Sequence, residues 1–381
     1  MPARYQPHLE FANFICKFGR LNMADLLDEV VLPAFLDTTE IRQTSDAKYL
    51  LLHPKVENLE FKFGETPCIV GRFVKDTFLE RSFILEDGEL LPAEASLATA
   101  ETALFILTLD THKVVYLQET KNAPGFQAFR ATILKFLKKK HDLFIRALKD
   151  QIEASTDLTL DSVTRFLEER GLQGGVIESE VVETNGDAES AKEKREHRPG
   201  TLAYLRQHIP VPELEIIPLS NEESLEAFIN RFKTLSLVRV TLVNTNDELH
   251  LGDFFPQVEA AKAAAGSAKT SVVHNNPKGL DKAGVLDQLK EVATQGNAQT
   301  HLEGRDATDT KLVGDETQFK LRIPQSNLPD HDDVAARSKH LIDAFDEAVG
   351  AGTVVLQETS DKLAEKMELV KESVRKGDGR T

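Results

Sequence analysis

The stretch ETNGDAESAKEKREHRPG, residues 183–200, limits the fold more than any other feature of the chain. It holds no Val, Leu, Ile, Met, Phe, Tyr or Trp and is dominated by charge, so it has nothing to give a core. A chain of 381 residues interrupted there has to bury its apolar surface on either side, and both flanks are long enough to do so. The sequence therefore predicts a strand-rich domain over 1–180, a charged linker or loop over 181–200, an alternating α/β domain over 201–325 and C-terminal helices over 326–381.

The first flank reads mainly as strands. LEFANFICKF (9–18), KYLLLHP (48–54), NLEFKF (58–63), CIVGRFV (68–74) and FLERSFIL (78–85) are short apolar or alternating runs bounded by Pro, Gly, Asp or Asn. One helix interrupts them, with Asn22 or Asp25 capping MADLLDEVVLPAF. TALFILTL and HKVVYLQE then form a hairpin joined at Asp110-Thr111. Pro124-Gly125 ends that strand, and a long helix is expected from Phe126 to about Lys149. Phe126, Phe129, Ile133, Phe136, Leu137, Phe144 and Leu148 recur at threes and fours, which puts them on one face. That face is expected to pack across the antiparallel sheet. A shorter helix, SVTRFLEER, closes at Gly171.

The second flank alternates. PELEIIPL, LVRVTLV, KTSVVHN, AQTHLEG and TQFKLRIP read as strands, with helices at SLEAFINRFKTL, FFPQVEAAKAAA and LDKAGVLDQLKEVAT. Ser220-Asn221-Glu222-Glu223 is a capping-box start for the first of these helices. The order β-α-β-α-β-α-β-β suggests one layer of helices on a mixed sheet, and the whole chain is assigned to the α+β class. Two helices follow. In the last, Leu356, Leu363 and Val370 repeat at seven, as do Ser360, Met367 and Val374; under three heptads, the pattern suits a packed terminal helix and also self-association as a homodimer.

Charge separates one segment from the rest. The net charge is −16, yet residues 121–150 carry 8 basic and 2 acidic side chains while 1–120, 151–197 and 198–381 are each net acidic. An acidic surface repels nucleic acid and excludes wholesale wrapping of DNA. Lys135, Lys138, Lys139, Arg146 and Lys149 fall opposite the apolar face of the long helix, with Asp142 among them. Cations at helical spacing neutralise phosphates, and the same spacing also describes an ordinary solvated helix face. These five are the candidate nucleic-acid-binding residues, and DNA is the candidate partner.

Catalytic signatures are few. HExxH, paired CxxC, GxSxG, GxxxxGK and GxGxxG are all missing from the sequence. No cofactor or metal is expected. Cys16 and Cys68 sit in apolar stretches, the setting of reduced, buried cysteines. The N-terminus lacks the basic start and apolar block of a signal peptide, and no apolar run approaches a bilayer span, so the expected compartment is the cytoplasm without membrane contact. One constellation offers an alternative chemistry. Asp110 precedes Glu119-Thr120-Lys121 at the end of the next strand. A carboxylate followed by Glu-x-Lys resembles the PD-(D/E)xK nucleases, in which such residues hold Mg²⁺ and activate water. Leu109, not Pro, precedes the Asp here, and Asp-Thr also suits a plain turn.

The hairpin ETALFILTLDTHKVVYLQ followed by a helix opening GFQAFRATILKFL resembles an uncharacterised bacterial domain family with a hairpin-then-helix core. The wider arrangement over residues 8–325, ending TKLVGDETQFKLRIP, is similar in layout to the family of the phage lambda exclusion protein RexA. The resemblance implies a DNA-binding, dimeric protein of bacterial defence against phage. The expected function is a non-enzymatic sensor or adaptor of such a system that binds nucleic acid or a neighbouring effector protein.

Overall fold

Alternation in the hairpin sequence explains the central layer of the computed structural model, which describes residues 5–86, 89–155, 160–172, 201–243, 269–295, 298–356 and 359–377. In β6 (Glu89–Thr108) and β7 (Lys113–Gln118), Leu104, Ile106, Val115 and Leu117 share one face, while Phe105 and Tyr116 share the other. All six are fully buried, so the sheet is covered on both sides. The fold is mixed α+β, as the sequence indicated.

Contacts divide the chain into two units that do not follow chain order. The first comprises residues 1–15, 35–133 and 215–381, and the second comprises 16–34 and 134–214. The boundary falls inside β1 (His8–Phe18) and inside α2 (Phe126–Ser155). The charged stretch 183–200 and the helix expected at FFPQVEAAKAAA lie outside the described residues.

In the first unit, β3 (Ile41–Gln43), β4 (Ala47–Phe61) and β5 (Gly64–Glu86) extend the antiparallel sheet in the order β1-β7-β6-β5-β4-β3. The runs 48–54 and 58–63 form one strand rather than two. A register shift between Leu52 and Lys55, with His53 at φ 49°, marks the break. On the first face, Leu9, Phe11, Val70, Leu104, Ile106 and Val115 pack against Leu341 and Phe345 of α8 (Val334–Gly350). On the second face the rings of Phe73, Phe105 and Tyr116 surround Phe129 of α2 at centroid distances of 5.0–5.6 Å. Removing a ring so placed costs about 3–5 kcal/mol.

Two expected strands of the second flank join this sheet. PELEIIPL is β8 (Glu213–Pro218), which pairs with β1. TQFKLRIP is not a strand throughout. Asp315 caps the short α7 (Glu316–Phe319), and only β13 (Ile323–Pro324) is extended, pairing with His8 and Leu9 of β1. Glu10, fully buried beside that junction, is held below the usual carboxylate range by a contact from His8 and by the cations of Lys320 and Arg322, which outweigh its desolvation.

A second sheet, of order β10-β9-β11-β12, contains β9 (Phe232–Val243), β10 (Lys269–Asn275), β11 (Ala298–Asp306) and β12 (Lys311–Asp315). It is wholly antiparallel, not mixed. α5 (Glu222–Ile229), capped by Asn221, and α6 (Lys282–Gln295) supply Leu225, Phe228 and Leu289 to a core with Val238, Val240 and Leu302. Gly314 allows a close approach here, because a Cβ would fall 2.1 Å from the Phe228 ring.

The terminal helix α9 (Asp361–Lys376) is the packed helix of the two readings its sevenfold pattern allowed. Leu363, Met367 and Val370 of its sevenfold stripe are about 2% exposed and lie against β4 and β5 of the same chain. The stripe is part of the fold and is not available for pairing two copies. Asn58 donates to the Lys371 carbonyl at 3.1 Å, and Arg375 pairs with Glu65.

In the second unit, β1 turns at Gly19 (φ 67°) into β2 (Leu21–Asn22), and the Asn22 amide donates to Asp25 at 2.8 Å to start the helical run that ends in α1 (Leu32–Leu36). α3 (Leu160–Glu168) and α4 (Thr201–His208) complete it. No helix among the described residues is long and apolar enough to cross a membrane.

Candidate functional site

The basic row of α2 lies wholly in the second unit, from Lys135 onward. Helical periodicity places it there. The buried face of this half is Phe136, Leu137, His141, Ile145, Leu148 and Ile152. Phe144, expected on that face, is only half-buried; His141 and Ile145 take the positions inside. Lys135, Lys138, Lys139 and Arg146 are exposed, and Lys149 is partly so. The row runs over fifteen residues, fourteen rises of 1.5 Å or about 21 Å.

Acidic residues interrupt the row and are paired. Lys149 bonds Glu153 at 2.6 Å, a contact that raises its pKa, and Asp142 bonds Arg206 of α4 at 3.3 Å. His141, one residue from Asp142, donates from Nε2 to the Ile209 carbonyl at 2.9 Å and stacks on Phe18 at 6.0 Å. Burial holds its pKa below the ordinary histidine value.

The second candidate set does not converge. Asp110 stands at the turn before β7 and Glu119 follows its other end, so six strand residues, about 20 Å, separate them. Asp110 accepts from the Thr111 amide at 2.6 Å and the Thr66 hydroxyl at 3.0 Å, and burial raises its pKa. Glu119 is enclosed by two guanidinium groups, with Arg72 Nε at 3.1 Å and Arg337 Nη1 at 2.6 Å. His331 Nε2 adds a contact at 3.5 Å. Lys121 is exposed in the following turn. The Glu119 oxygens are thus engaged by arginine and those of Asp110 by Thr66 and Thr111, and no group of three His, Cys, Asp or Glu able to hold a metal occurs among the described residues.

Three ionisable features escaped the sequence reading. The Glu119 cluster draws Arg72 from β5 and Arg337 from α8, positions 47 and 218 residues away. Lys113 is fully buried, with Nζ 2.5 Å from Asn13 Oδ1, and desolvation brings its pKa down to about 7. Glu316 accepts from the Thr300 amide, and burial raises its pKa to about 7. A signal existed for Lys113: it shares the strand period of Val115 and Leu117, both core residues.

No protein-family model matches this chain, and no curated protein sequence matches it either.

Proposed function

We propose that this protein is a non-enzymatic sensor or adaptor of a prokaryotic antiphage system that contacts nucleic-acid backbone through the exposed row of α2. The observation that carries the reading is the exposure of Lys135, Lys138, Lys139 and Arg146 on a helix whose other face is buried. The row stands out from a chain of net charge −16, so contact is confined to one face and affinity is modest and salt-sensitive. The engagement of Glu119 by Arg72 and Arg337 supports a binding role over hydrolysis. The defence setting, a neighbouring effector as protein partner and a homodimeric state rest on the RexA-like layout. The interface of such a dimer lies elsewhere than the buried α9 stripe.

Electrophoretic retention of labelled duplex DNA at low ionic strength tests the reading. Wild type is expected to retard the duplex. A Lys135→Glu, Lys138→Glu, Lys139→Glu variant is expected to fold, lose retention and lose protection against phage. A wild type that leaves DNA mobility unchanged would remove the nucleic-acid role.

A further inference from the structure

We propose that Arg206, on α4, is a phosphate-contacting residue of the same interface, brought to the α2 row from a second element and held there by Asp142. The inference rests on the nucleic-acid reading above and adds to it a cation outside the basic segment.

Asp142 is the difficulty in that row. It sits at the middle of the cationic face, where a lone carboxylate would repel the phosphates its neighbours attract. On a helix, residues three and four apart are neighbours at about 5–6 Å between Cβ atoms, which sets Lys138, Lys139 and Arg146 around it. The structure adds Arg206 Nη2 at 3.3 Å from Asp142 Oδ1. Four cations then surround one carboxylate, where three would without Arg206, and the centre of the row is more strongly positive.

Arg206 is held by more than that contact. The end of α4 is fixed to α2 through the hydrogen bond from His141 Nε2 to the Ile209 carbonyl. Pro210 lies against the β1–β2 turn so closely that a Cβ on Gly19 would come within 2.7 Å of its ring. On another side, the Tyr204 and Thr164 hydroxyls bond at 2.7 Å and tie α4 to α3. These contacts set where Arg206 emerges, and the Asp142 bond sets its direction.

Chemistry favours phosphate as the ligand. Both side chains of the pair are about half exposed, at 48% and 50%, so the pair itself adds little to folding. A guanidinium carries five donors in a planar fork, and the Asp142 contact occupies one nitrogen. The remaining donors suit a phosphodiester oxygen pair, the ligand that arginine binds bidentately. Asp142 is therefore a positioning residue and Arg206 a binding residue.

Fluorescence anisotropy of a labelled 30-base-pair duplex at 50 mM salt separates this idea from the one it rests on. The variants are Arg206→Glu, the double change Lys138→Glu with Lys139→Glu, and Arg239→Glu on β9 of the second sheet as a control for bulk charge. Arg206→Glu is expected to weaken binding about tenfold, and Arg206→Ala to lower the slope of log K against log salt by about one. Arg239→Glu is expected to stay within about twofold of wild type, and the melting temperature of Arg206→Glu within about 2 °C. If the double variant loses binding while Arg206→Glu keeps it, the inference falls and the α2 reading stands. Equal losses in Arg206→Glu and Arg239→Glu would reduce the effect to net charge and also overturn it. A wild type with no affinity for the duplex would overturn both.

Discussion

Lys113 offers the sharpest energetic prediction. Its ammonium is buried in unit one beside Asn13, and desolvation lowers its pKa from 10.5 to about 7. The unfolded chain therefore binds a proton across pH 7–10.5 that the folded chain does not, and stability must rise with pH through that window. Below pH 7 both states are protonated and the burial cost is fully present. The whole shift corresponds to roughly 5 kcal/mol, approached at up to about 1.4 kcal/mol per pH unit. Between pH 7 and 8.5 the gain is roughly 1.5–2 kcal/mol. This range lies below pH 9, where the buried Cys16 and Cys68 thiols, pushed up by burial, begin to act in the opposite sense. Urea unfolding followed by circular dichroism at pH 7.0 and 8.5 measures the difference. Lys113→Met should abolish the rise, leaving only the small fall that Glu316 contributes as it finishes titrating above pH 7. It should also stabilise the protein at pH 7, less about 1–3 kcal/mol for the donor lost to Asn13. A wild type without the rise, or a variant that keeps it, refutes the reasoning.

Other outcomes follow from the same contacts. Glu119→Ala leaves Arg72 and Arg337 buried without their counter-charge and should cost about 3–5 kcal/mol in unfolding free energy, whereas Lys121→Ala, at an exposed turn, should stay within about 0.5 kcal/mol. No Mg²⁺- or Mn²⁺-dependent cleavage of linear or single-stranded DNA is expected; cleavage lost in both variants would restore the nuclease assignment. Glu316, raised from 4.5 to about 7, contributes stability that is fully present below pH 4.5 and lost as pH rises through 7, roughly 3 kcal/mol in all, and Glu316→Gln should flatten that part of the pH–stability curve. Leu363→Ala on α9 should cost about 2–5 kcal/mol, while Leu369→Ala, 69% exposed on the same helix, should melt like wild type.

What could be read in the sequence was local. The β6–β7 hairpin, α2 and the Asn221 cap announced themselves because turn residues, strand alternation and helical spacing act over a few neighbours. The partners of those elements were hidden. PELEIIPL reads as a strand wherever it pairs, and nothing within it says that it joins β1, some two hundred residues earlier. TQFKLRIP carried a strand-like pattern, yet the Asp315 side chain accepts from the Thr317 amide and starts a helical turn instead. The sevenfold stripe of α9 was correctly apolar, but periodicity cannot distinguish a second copy from the chain's own sheet. The basic row was visible for the same reason as α2. Arg206 and the guanidiniums on Glu119 were not, since each meets its carboxylate only through the fold.

The most direct test of the central claim is the salt dependence of DNA binding by the intact protein. If the α2 row meets about three to five phosphates, log K against log salt should fall with a slope of roughly −3 to −4.5, and the Lys135→Glu, Lys138→Glu, Lys139→Glu variant should lose measurable binding at 50 mM salt. A slope near zero, or a triple variant that binds as wild type does, would contradict the account.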